Sequence, residues 1–119
     1  MNRPPAFQFY AGDWLRDENV MKMTLEQRGA YITLIAICWQ EGSIPADIEE
    51  LKLLFRVISD ECLPVVLKRF ILSDELPGRM VHKRLDSERA TQAEWREKSR
   101  LGGKKSAAIR RKNRTLKVI

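Results

Sequence analysis

The residues of this chain that could do chemistry are mostly cations. Between Lys98 and Ile119 there are nine Lys or Arg and no Asp or Glu. Lys104, Lys105, Arg110, Arg111, Lys112 and Arg114 make a polycationic segment. Its natural chemistry is neutralisation of phosphates with release of their counterions. The segment contains no aromatic residue, so it offers bases nothing to stack on. Residues 1–97 hold thirteen basic and sixteen acidic side chains, a net of −3, although the whole chain carries +6. A slightly acidic body with a strongly basic end is a statement about partners rather than fold. DNA is the expected partner; the other readings of such a segment are a solubilising tail or docking on an acidic protein.

Catalytic groups are scarce, and an enzyme is not expected. His82 is the only histidine, flanked by Lys83 and Arg84, and no Ser or Cys is visibly paired with it. One histidine and two separated cysteines, Cys38 and Cys62, do not have the spacing of a metal site. Gly102-Gly103-Lys104-Lys105 lacks the glycine spacing of a phosphate loop. No cofactor or metal is implied. Both cysteines sit in apolar helical patterns and read as buried free thiols of a reducing compartment. The start of the chain lacks a basic stretch followed by an apolar one, which argues against a signal peptide. The longest apolar run, Ala30 to Trp39, is too short to span a bilayer. The expected setting is the cytoplasm, without a membrane partner.

The elements that must position these groups follow from period and punctuation. Thr24 and Gln27 have capping-box spacing, which starts a helix at Leu25 that runs to about Gln40. Leu25, Ile32, Ile35, Ala36 and Trp39 share one face of it, widened by Tyr31, Leu34 and Cys38. Gly42 suits a left-handed terminus, and Ser43-Ile44-Pro45 reads as a short extended strand. A second helix is predicted over 47–55, with Ile48, Leu51, Leu54 and Phe55 as its apolar stripe. A third begins after Ser59, a good N-cap, or nearer Cys62 because Pro64 belongs in a first turn. Its buried side is Leu63, Val66, Leu67 and Phe70. Phe70-Ile71-Leu72 and Met80-Val81-His82 then flank Pro77-Gly78 as a β-hairpin, with Lys83 and Arg84 continuing its second strand. A polar helix follows over 86–101. Gly102-Gly103 ends it, and residues 102–119 read as a disordered basic tail.

The N-terminal segment Phe7-Gln8-Phe9-Tyr10-Ala11-Gly12-Asp13-Trp14 leads into Thr24-Leu25-Glu26-Gln27-Arg28-Gly29-Ala30-Tyr31. It resembles the start of the YdaU-like or DUF1376 family of prophage-associated small proteins. Typical members begin Phe-Tyr-x-Gly-Asp-Trp, followed by Ser/Thr-Leu-Glu-x-Arg-Gly-Ala-Tyr; here Gln27 stands where an acid is frequent. The resemblance covers roughly Phe7 to Leu101. It implies a winged-helix fold and a phage setting connected with replication initiation, but no firm activity.

The expected fold is α+β: a small winged helix-turn-helix over residues 1–85, an added helix over 86–101 and the tail. Phe9, Tyr10, Gly12, Asp13, Trp14, Thr24, Gln27, Arg28, Tyr31 and Trp39 are expected to be structural. The aromatics would fasten the N-terminal segment across the first helix, and Asp13 would pair with Arg28 or cap a turn. DNA would be bound non-specifically by the six tail cations, with Lys83 and Arg84 helping. Groove reading by the third helix is not expected, because Asp60 and Glu61 open it and Asp74 and Glu75 sit in the hairpin loop. The alternative is a protein-interaction module that docks a replication protein or host factor, or self-assembles.

Overall fold

The computed structural model describes residues 6–56 and 58–118, with side chains as far as Gly103. The order of elements is α1 (Ala11–Arg16), α2 (Glu18–Lys22), α3 (Leu25–Glu41), β1 (Ile44–Pro45), α4 (Ile48–Lys52), α5 (Cys62–Leu67), β2 (Ile71–Leu72), β3 (Arg79–Val81) and α6 (Lys83–Val118). This is an α+β chain of six helices and one three-stranded antiparallel sheet among the described residues, with strand order β1-β3-β2. It divides into a body ending at Glu88 and a helical unit from Arg89 onward.

The central helix is α3. Its start is the capping box: the Thr24 hydroxyl accepts from the Gln27 amide at 3.1 Å, and the Thr24 amide donates to Gln27 Oε1 at 2.8 Å. Two otherwise orphaned amides are thereby satisfied, worth about 1 kcal/mol for the hydroxyl alone. Its end is Gly42, whose φ of 90° is left-handed and would strain any residue with a Cβ. Ala30, Tyr31, Leu34, Ile35, Cys38 and Trp39 form the buried stripe. Leu25 does not join it and is 82% exposed. It has nearly the same angular position as Ile32, but it stands in the first turn, ahead of the layer that α5 and β1 cover.

Asp47 caps α4 through Oδ1, which accepts from the Glu49 amide at 2.9 Å. That helix stops at Lys52, three residues before the sequence pattern ends; Leu51 is buried while Leu54 is 46% exposed. Helix α5 begins at Cys62, and Ser59 does not cap it. The Ser59 amide and hydroxyl instead donate to Glu26 Oε1, tying the loop before α5 to the start of α3. Pro64 lies in the first turn, where no intrahelical amide is required. Leu63 and Val66 from α5 meet Leu34, Ile44 and Leu51 in the core, all at 1% exposure or less. Truncating Leu34, Ile44, Leu51 or Leu63 to Ala costs about 2–5 kcal/mol.

The hairpin pairs Ile71 with Val81 and Leu72 with Met80, and β1 pairs Ile44 with Met80 on the other side of β3. Ser73 organises the turn, its hydroxyl accepting from the Glu75 and Leu76 amides at 3.2 and 3.0 Å. Arg79 fastens β3 to β1, donating to the Ser43 hydroxyl at 3.0 Å and the Ser43 carbonyl at 3.1 Å.

The segment before α3, to which the sequence pattern assigns no element, forms two short helices, α1 and α2; Asp17 supplies the break and the cap between them. Three expectations need correction. His82, Lys83 and Arg84 are not on the second hairpin strand. That strand stops at Val81, His82 precedes α6, and Lys83 and Arg84 open it. The helix expected from residue 86 therefore starts three residues earlier. It also does not end at Gly102-Gly103 but continues as helix to Val118, so residues 102–119 do not form a separate irregular tail as far as they are described. A glycine in a helix interior costs about 1 kcal/mol relative to alanine; the alanines, lysines and arginines that follow are strong helix formers with no proline among them.

Candidate functional site

The body carries a cavity of about 110 Å³ where α1, α2 and α3 approach the start of α6. The positions on α3 come from its period: Tyr31 and Ile35 are one turn apart on the buried stripe. Trp14 is brought over Tyr31 by the α1 helix, and their rings stack at 5.6 Å and 15°. Phe9 leans on Trp14 at 5.4 Å, and Phe7 packs against Trp39 at 5.7 Å. His82 also lines the cavity, and its ring and that of Phe70 each lie within about 6 Å of Tyr31 by centroids.

The aromatic cluster thus divides. Tyr31 and Trp39 are buried and Phe7 and Trp14 are packed against the core. Phe9 and Tyr10 are not core residues: they are 52% and 42% exposed at the cavity mouth. Gly12 lies on ordinary helical backbone in α1, and an added Cβ there would meet only the flexible Arg16 guanidinium, at 3.1 Å.

Charged groups ring the cavity in neutralising pairs. Arg69 Nη2 donates to Asp17 Oδ2 at 2.6 Å, and both side chains are about a quarter to a third exposed (30% and 26%). Asp17 uses its other oxygen to cap α2, accepting from Asn19 and Val20 amides at 2.9 and 3.4 Å. Arg84 Nη2 donates to Asp13 Oδ2 at 2.7 Å, and Arg16 approaches Asp13 Oδ1 at 3.9 Å. The Asp13 hydrogen bond raises the Arg84 pKa, and the Arg84 guanidinium also covers the Tyr10 ring at 4.9 Å. The Tyr10 hydroxyl lies near two acceptors, Gln8 Oε1 at 2.8 Å and the Glu88 carboxylate, and the latter raises its pKa.

Asp13 therefore does not pair with Arg28. The Arg28 guanidinium reaches back from α3 to the end of α2, donating to the carbonyls of Val20 at 3.1 Å and Met21 at 2.9 Å. A cation on the last carbonyls of a helix satisfies acceptors that the helix leaves open. Asp13 instead meets Arg84, seventy-one residues away in sequence.

His82 is the one group whose protonation the site suppresses. Its Nε2 lies 3.0 Å from the Tyr31 hydroxyl, and its Nδ1 is buried without a partner. Burial lowers its pKa first, and the neighbouring Arg69 and Arg84 charges add to that. It is neutral at pH 7. The Cys62 thiol, 1% exposed, is pushed up to about 11 by burial, with Glu26 adding to it. It is a protonated thiol, and both cysteines are buried and outside any disulfide. Among the described residues no three His, Cys, Asp or Glu side chains converge on a metal position, and no helix is long and apolar enough to cross a membrane.

Of the cations expected to meet nucleic acid, Lys83 and Arg84 stand exposed at the first turn of α6. Lys104, Lys105, Arg110, Arg111, Lys112 and Arg114 lie on the helical backbone of α6, and their side chains fall outside the described residues. Sequence reading missed the Asp17–Arg69 pair and the place of His82 in the aromatic cluster. The N-cap character of Asp17 was available from its position before Glu18 and Asn19; nothing local pointed to Arg69.

No curated protein and no solved structure matches the chain. A family model does, over residues 5–90, and it is described only as a protein of unknown function. That span holds every residue lining the cavity and none of the six tail cations. The chain belongs to the DUF1376 family.

Proposed function

We propose that this protein binds DNA in a phage or prophage DNA transaction, connected with replication initiation, and that its affinity comes from the basic part of α6. The observation that carries this reading is the segregation of charge: nine cations and no acid from Lys98 onward, against a net of −3 before it. Such a segment binds through phosphates, weakly selective for sequence and steeply dependent on salt. Lys83 and Arg84, exposed at the start of the same helix, add to it. The order α3-β1-α4-α5-β2-β3 with strands β1-β3-β2 supports a winged-helix reading of the body. Replication initiation and the phage setting rest on the family resemblance alone.

The test is fluorescence anisotropy with labelled DNA from low to physiological salt. The variant replaces Lys104, Lys105, Arg110, Arg111, Lys112 and Arg114 together by Gln. Its salt slope should fall by about 0.9 for each phosphate no longer neutralised. Unchanged affinity and slope would sink the reading.

The exposed surface of the body favours a second reading for that part. In a winged helix, α5 and the hairpin are the parts that would face DNA. Here they present exposed Val65, Ile71, Leu72 and Leu76, with Glu61, Asp74 and Glu75 nearby in sequence. An apolar surface with acids repels phosphate and suits a protein. On this reading the body docks a replication protein, a host factor or a second copy while the basic helix holds DNA. Size-exclusion and cross-linking of the full chain with a purified replicative helicase or loader would test it, and a strictly monomeric, unpartnered chain would count against it.

A further inference from the structure

The cavity in the body is explained by neither reading, and its chemistry is specific. Two aromatic rings, Phe9 and Tyr10, are left exposed at its mouth beside Trp14, which is only part-buried. A core staple does not require uncovered rings. A cation stands at the same mouth: Arg84 lies over Tyr10, and Arg16 approaches the Asp13 carboxylate that Arg84 binds. Two of the carboxylates there are already engaged, Asp13 by Arg84 and Asp17 by Arg69. Arg84, half-exposed, still has donors to offer beyond its bond to Asp13.

The volume narrows the choice of ligand. About 110 Å³ is somewhat less than the roughly 150 Å³ apolar cavity that holds benzene. One six-membered ring can enter this half-open site with an edge outside; a base pair cannot. A flat ring carrying an anion beside it describes a nucleotide of a single strand, whose bases have free faces, as those of a duplex do not.

We propose that the cavity is a site for one unpaired base of single-stranded DNA, stacked against Phe9 and Tyr10, with the adjoining phosphate on Arg84. This rests on the DNA-binding reading above and adds strand preference to it. It places the preference in the body and leaves the bulk of the affinity to the basic helix. Stacking does not release counterions, so the two rings change affinity without changing salt slope.

The experiment uses the full chain and three labelled probes at fixed salt: a dT20 strand, a 20-mer with the same backbone but abasic sites, and a 20-base-pair duplex. The wild type should bind dT20 about tenfold more tightly than the abasic strand, the scale of one stacked base. Phe9→Leu with Tyr10→Leu keeps apolar bulk and removes both rings. It should lose that tenfold on dT20 and leave abasic and duplex binding, and the salt slope, unchanged. Trp14 gives a second signal: in a Trp95→Phe background, where the other tryptophan, Trp39, is buried, dT20 should quench the Trp14 share of the fluorescence and the abasic strand should not. Equal wild-type binding of dT20 and the abasic strand would overturn the base site while leaving phosphate binding by the helix intact. Failure of all three probes to bind would overturn both. The wild-type comparison stands even if the double variant does not fold.

Discussion

Asp17 joins two structural jobs that substitution can separate. Its Oδ1 caps α2 and its Oδ2 takes the Arg69 guanidinium at 2.6 Å. An N-cap replaced by Ala costs about 1 kcal/mol. The ion pair is neither fully exposed nor buried, with side-chain exposures of 30% and 26%. Exposed pairs contribute about 0–1 kcal/mol and breaking buried ones costs about 3–5, so about 1–2 kcal/mol is the expected loss here. Arg69 Nε is already buried without a partner, so loss of the carboxylate leaves the guanidinium poorly satisfied.

Asp17→Asn keeps an oxygen for the cap and removes the charge; Asp17→Ala removes both. The Asn variant should lose about 1–2 kcal/mol and the Ala variant about 2–3 kcal/mol. At roughly 4 °C per kcal/mol for a chain of this size, the two Tm values should fall by about 4–8 and about 8–12 °C. Thermal unfolding followed by circular dichroism measures both. Adding Arg69→Gln to Asp17→Asn should cost less than the sum of the singles, because the pair is already broken. An Asn variant as stable as wild type would refute the contribution of the pair. Equal loss in Asn and Ala would refute the cap.

Three other outcomes follow from the same geometry. His82 has its pKa lowered in the fold from the ordinary 6.5, so the unfolded chain binds the extra proton first. Its contribution is fully present above about pH 7 and is lost as pH falls below 6.5 toward the folded value; His82→Phe should flatten that part of the Tm–pH curve, and an unchanged curve would contradict the assignment. Thr24→Ala should cost about 1 kcal/mol through loss of the capping box, read as a lower urea midpoint at constant m. Cys38 and Cys62, both 1% exposed, should react with a thiol reagent only at the rate of opening, so labelling should accelerate with urea and show no fast phase in buffer.

What was legible in the sequence was what depends on near neighbours. The capping box at Thr24 and Gln27, the left-handed Gly42, the short strand at Ile44 and the hairpin around Gly78 are local signals, and each stands where its pattern put it. What was not legible depends on partners distant in sequence. Asp13 and Arg28 are both charged and both flank the same helices, so pairing them was the economical guess; the fold gives Asp13 to Arg84 and sets Arg28 on the end of α2. The strand expected to carry Lys83 failed for a related reason. Val81-His82-Lys83 reads as extended, but the His82 carbonyl accepts the Asp86 amide at 3.0 Å and starts a helix instead. That early start sets Arg84 beside Tyr10 and Asp13.

The same division bears on function. The basic helix is visible in composition alone, because charge needs no fold to be counted. The cavity needs the fold, since it joins Phe9 and Tyr10 to Arg84 across more than seventy residues. A phosphate-binding segment without aromatics cannot distinguish a single strand from a duplex by stacking. Any such discrimination must come from aromatic rings outside that segment, and in the body the exposed Phe9 and Tyr10 beside Arg84 have the chemistry for it. Strand preference and salt dependence should therefore separate under mutation: changes at Phe9 and Tyr10 should move the first, and changes at the six helix cations the second.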